Sequence, residues 1–136
     1  MVKGLQRVNV ERSQAVNYIR VAENFYDGAE VAGEYQYWNA SGVLIEHSAI
    51  ACADALTIKY GGVKSKGENH QEVINLIDTL LPAGADKKSG LMQLSKIIAH
   101  NNAVSYSGDI YQKKDIDQLW KLLNRFKIWA EKLLNV

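Results

Sequence analysis

Residues Asn39 to Tyr60 read NASGVLIEHSAIACADALTIKY, with no proline and with apolar side chains nearly all the way round. The stretch is long enough for five or six helical turns. A helix that is apolar on every side has no solvent face, so it must be surrounded by other elements. Its polar exceptions are Glu46, His47, Ser48 and Asp54, with Thr57 and Lys59 near the end. His47 and Asp54 lie seven residues apart and share a stripe with Ile50, Ala51 and Ile58. Both are expected to be buried polar residues, and stranding either would cost on the order of 1–3 kcal/mol. Their separation, about 10 Å along the axis, rules out a direct bond. They either flank one ligand or bond to Tyr or Asn side chains of the first helix.

Composition bounds the rest. A chain of 136 residues, 47% hydrophobic and 23% charged, fits one domain with one core. A formal charge of +1 provides no global field for nucleic acid and leaves only local patches. The N-terminus has no signal-peptide pattern, and no uninterrupted apolar run reaches the length of a membrane span. A cytoplasmic location without membrane association is expected. Cys52 is the only cysteine, which excludes a disulfide within the chain and reads as a small buried hydrophobe. With one Cys and three scattered His (His47, His70, His100) there is no metal-ligand spacing, and no cofactor is expected.

Every other periodic segment is helical. Ala15, Tyr18, Ala22, Phe25, Ala29 and Ala32 recur at three- and four-residue spacing, predicting a helix from Val10 to about Gly33 with Asn9 as its N-cap. Asn39 or Ser41 caps the central helix, which Gly61-Gly62 ends. After a polar loop over Val63 to Asn69, a short helix from His70 to Leu81 stops at Pro82. A fourth helix starts near Ser89 and carries Leu91, Leu94, Ile97, Ile98 and Val104. The last, Lys113 to Leu134, carries Ile116, Leu119, Trp120, Leu123, Phe126, Trp129, Ala130 and Leu133 on one face. No segment alternates with period two. The expected architecture is all-α, an up-and-down antiparallel bundle of four long helices and one shorter one.

The succession HSAIACADAL, SKGENH, LIDTLL, HNNAVSY and FKIWAEKLL, spanning about residues 10 to 134, resembles the HEPN domain superfamily, a group of helical nucleotide-binding domains. The shared pattern is an Ala-rich central helix, a His opening the next helix, and an Asn-x-Ala-x-Tyr-like element before the last one. Many members are ribonucleases that need no metal and use an Arg followed after four to six residues by a His. The arginine neutralises the scissile phosphate and the histidine moves the 2′-hydroxyl proton. Here Arg7, Arg12, Arg20 and Arg125 have no such histidine downstream. His100 stands at the arginine position, and Ser105 or Tyr106 at the histidine position. The chain thus resembles a divergent bacterial member without the ribonuclease motif.

The resemblance implies a non-catalytic module that binds RNA, a nucleotide or a partner protein in a bacterial defence or toxin–antitoxin setting. It also implies a homodimer, and a nucleotidyltransferase or nuclease as protein partner. The residues placed to make the contact are His100, Asn101 and Tyr106 near one helix end. Lys66 and His70, at the start of the third helix, form a second candidate set. The other readings are a divergent ribonuclease using His100 or His70, and a purely structural dimerising bundle.

Overall fold

The computed structural model describes residues 7–67 and 70–136. Its core is an all-α bundle, and the four long helices alternate in direction. Helix α1 (Ala15–Glu34) runs antiparallel to α2 (Trp38–Gly61). Ala15, Ala22 and Ala29 recur every seven residues on the buried face of α1. Side chains this small bring the backbones close enough for serines to reach across. Ser41 and Ser48 donate to the carbonyls of Ala29 and Ala22 at 2.9 and 2.8 Å.

Helix α2 is buried as its composition requires, from Ile45 through Ile58 on nearly every side. It is the one described helix long and apolar enough to cross a membrane, and 83% of that stretch is buried inside the bundle. Gly62, at φ +66°, closes it with the left-handed turn that glycine favours. Cys52 is buried within it, and burial pushes its thiol up to about 12, so it behaves as an unreactive hydrophobe.

Helix α6 (Lys113–Leu134) buries Ile116, Leu119, Leu123, Phe126, Ala130 and Leu134. Lys59 Nζ and the Tyr60 hydroxyl donate to the Leu133 carbonyl at 2.8 and 3.2 Å, satisfying an acceptor that the helix end leaves open. Helix α4 (Ala85–Ile98) runs antiparallel to α6, its Gly90 set against the Trp129 ring. Helix α3 (His70–Leu80) turns Val73, Leu76 and Ile77 inward and ends just before Pro82. Helix α5 (Asn101–Ser105) is a single short turn that buries Val104.

Several local expectations are corrected. Two short strands, β1 (Arg7–Asn9) and β2 (Val63–Ser65), pair antiparallel, with Val8 opposite Lys64. Asn9 therefore lies in a strand instead of capping α1, which begins after a 3-10 turn at Arg12–Gln14. Part of the expected polar loop is β2; Glu68 and Asn69 lie outside the described residues. Helix α4 begins at Ala85, not near Ser89, and does not continue to Val104.

The chain that leaves α5 is held by a residue far away in sequence. Asn39 caps nothing. Its side-chain amide donates to the carbonyls of Val104 and Asp109 at 3.0 and 2.9 Å, and its oxygen accepts from the Tyr111 N–H at 2.9 Å. One side chain on α2 thus clamps both ends of the segment from Val104 to Tyr111, which carries Tyr106. Gly42, one turn on, lets Val104 approach: a Cβ there would lie 2.6 Å from Val104 Cγ2.

Candidate anion-binding groove

His100 and Asn101 sit at the turn between α4 and α5, just before the segment that Asn39 holds, and the structure gives them neighbours that the linear pattern did not reveal. Glu46 of α2 is only 2% exposed. Burial pushes its carboxyl up to about 7. Asn101 lies against it, with its amide oriented so that the nitrogen faces the acceptors. In that orientation it donates to both carboxyl oxygens, at 2.8 and 3.0 Å. His100 Nδ1 bonds to the Tyr111 hydroxyl at 2.5 Å, with the two rings edge to face.

Burial is the main influence raising the Tyr111 phenol above its ordinary value; the charges of Asp115, Asp109 and Glu46 add to it. Tyr111 therefore keeps its proton, and its one described acceptor is His100 Nδ1. A phenol donating to Nδ1 leaves the ring hydrogen on Nε2. A protonated ring also carries hydrogen there. In both of these states Nε2 is a donor suited to meeting an anion, whereas the opposite neutral tautomer, with Nδ1–H donating to the phenol oxygen, leaves Nε2 an acceptor.

His100 also lines a groove between α4 and α6 of about 450 Å³, beside Lys96, Lys121 and Arg125. No acidic side chain lines this part. The seam continues past Arg125 into a second hollow of about 260 Å³ that includes Trp129, Lys132 and one acid, Asp86. Lys96 and His100 are four residues apart on α4, and Lys121 and Arg125 four apart on α6. Each pair is thus one helical turn, about 6 Å, along its wall. None of the three permanent cations at His100 has an ion pair or hydrogen bond among the described residues. Cations left unneutralised on both walls of a groove attract an anion with several charges.

The other expected site residues fall elsewhere. Tyr106 is 77% exposed and leaves the cluster; Tyr111, on the far side of the loop, takes its place. Lys66 is exposed on the loop after β2. His70 opens α3 with its Nδ1 buried and unbonded among the described residues; burial, then the charge of His47, lowers its pKa. No described contact joins Lys66 or His70 to His100.

The expected buried pair of His47 and Asp54 is also corrected. His47 is exposed, tilted beside the Phe25 ring at 5.4 Å. Asp54 is buried, 8% exposed, but among the described residues it bonds to neither Tyr nor Asn, and its Oδ1 has no partner there. Burial pushes its carboxyl up to about 7, against the opposing charge of Lys64.

Glu46, Tyr111, Asn39, Lys96, Lys121 and Arg125 were the residues missed. For Lys96, Lys121 and Arg125 the signal is faint in one dimension: basic residues flanking the apolar stripes of two helices, whose shared face appears only once those helices are paired. Compared with known proteins, the chain matches no family model, no curated protein and no solved structure.

Proposed function

We propose that this chain is a non-catalytic RNA-binding module whose contact surface is the α4–α6 groove. The observation that carries the reading is the set of cations Lys96, Lys121 and Arg125 around His100, unpaired among the described residues and with no carboxylate lining that part of the groove. Their one-turn spacing on each wall suits consecutive phosphates of an extended strand. Trp129, half-buried farther along, offers an aromatic ring on which a base can stack. The resemblance to HEPN domains supports nucleic acid over other polyanions. In that reading the module is a homodimer serving a defence or toxin–antitoxin pair, alongside a nuclease or nucleotidyltransferase.

One observation favours the divergent ribonuclease as a second reading. Arg125 of α6 lines the same groove as His100, so an arginine and a histidine face one groove although their sequence spacing is wrong. Against it stands the Tyr111 bond, which leaves His100 Nε2 a donor when the phenol donates to Nδ1. The test is a labelled single-stranded RNA scored for binding and for cleavage with wild type, His100→Ala and Arg125→Ala. Binding that both substitutions weaken, with the RNA intact, is expected. Cleavage by the wild type that His100→Ala abolishes would replace this reading with the ribonuclease.

A further inference from the structure

We propose that the groove between α1 and α6 docks a cationic amphipathic segment of a partner protein. This groove, about 730 Å³, lies on a different face of α6 from the basic seam, and its chemistry is opposite. Asp27, Glu30 and Glu34 stand at i, i+3 and i+7 along α1 and so form one stripe on its rim. None of the three has an ion pair among the described residues. On the α6 side Asp117 is held at 2.9 Å by Lys113, the one ammonium lining the groove. Among the lining residues four carboxylates stand against one ammonium, an excess of three negative charges. The whole chain carries +1, so its charge is segregated between two grooves instead of mixed.

The floor is aromatic. Trp38 and Trp120 are half-buried there, and Tyr26 meets Trp120 edge to face at 4.8 Å. Val31, on the same wall, is 51% exposed. The Tyr26 ring already holds an ammonium: Lys127 Nζ lies 3.8 Å from its centroid. An apolar floor under an anionic rim selects an occupant that offers both apolar and cationic side chains. The α6 wall from Lys113 to Asn124 covers about three turns, the length of a short helix and more than a single small cation needs. The sign of the rim repels phosphates, so this surface is distinct from the RNA groove and stands whether or not that groove takes RNA.

The probe is a synthetic helical peptide with Leu on one face and Lys on the other, titrated into the full chain while tryptophan emission is followed. Its controls are the same peptide with Glu for Lys and with Ser for Leu. Saturable binding of the Leu/Lys peptide is expected, with neither control binding comparably. Asp27→Asn combined with Glu30→Gln should weaken it by about fivefold or more. Both residues are exposed, so the core is untouched. Glu11→Gln combined with Asp78→Asn removes the same charge elsewhere and should leave the affinity unchanged. Equal weakening by the two double variants would reduce the effect to net charge and overturn the proposal, as would absence of binding at about 100 μM peptide. Sedimentation of the protein alone supplies a further arm. Self-association that the Asp27 and Glu30 substitutions abolish would assign the groove to a second copy of the chain and overturn the partner assignment.

Discussion

Asn39 is the residue on which the candidate site hangs most directly. It satisfies two carbonyls and one N–H of the segment from Val104 to Tyr111. Asn39→Ala should cost about 2–4 kcal/mol, because groups left unsatisfied carry their full desolvation penalty. Hydrogen exchange over residues 101–111 should speed up while α1 stays protected. Glu46 supports a second prediction at this scale. Its carboxyl is raised from 4.5 to about 7, and that of Asp54 from 3.8 to about 7. Between the unfolded and folded values the native state binds more protons than the unfolded chain, so stability falls as pH rises through that window. Denaturant unfolding should give a greater stability at pH 5 than at pH 8, with a slope of up to about 1.4 kcal/mol per unit from each group. Glu46→Gln should flatten the curve while keeping an acceptor for Asn101. A flat profile in the wild type would contradict the assigned burial.

Elements were the most legible level of the sequence. The apolar stripe of α6 marks Lys113 to Leu134 from end to end, because an amphipathic helix against one core writes its period plainly. The all-round apolarity of α2 likewise signals its burial. What could not be read depends on contacts distant in sequence. Strands of three residues are too short to show alternation, and β1 exists only because β2 pairs with it. The first turn of α4, Ala85 to Lys88, has no apolar stripe; there Lys87 donates back to the Asp78 carbonyl at 2.9 Å. His47 and Asp54 do share a stripe, yet cover changes along a helix of 24 residues, so one is exposed and the other buried. The prediction proper to this scale concerns Gly90. Replacing a helical glycine by alanine ordinarily stabilises by about 1 kcal/mol. Here a Cβ would lie 2.5 Å from Trp129 Cε3, so Gly90→Ala should instead destabilise by about 1–3 kcal/mol. A raised melting temperature would show that the α4–α6 contact is looser than this.

At the scale of the whole molecule, a net charge of +1 conceals two grooves of opposite sign on either side of α6. Composition could report only the sum; helix pairing separates the terms. Three tyrosines, Tyr35, Tyr37 and Tyr106, are exposed, and the first two stack at 6.0 Å. Such apolar surface agrees with the proposed homodimer, which sedimentation at tens of micromolar should detect; a monomer there would remove that part of the reading. The central claim is that the α4–α6 groove binds RNA through phosphate contacts. Its most direct test is the salt dependence of the affinity for a labelled single-stranded RNA, measured with wild type and with Lys121→Gln combined with Arg125→Gln. Each phosphate contact contributes about −0.7 to the slope of log K against log salt for a single strand. Engagement of all three permanent cations near His100 predicts a slope of about −2 for the wild type, made shallower by about 1.4 in the double variant. A slope near zero, or one that the two substitutions leave unchanged, would contradict the account.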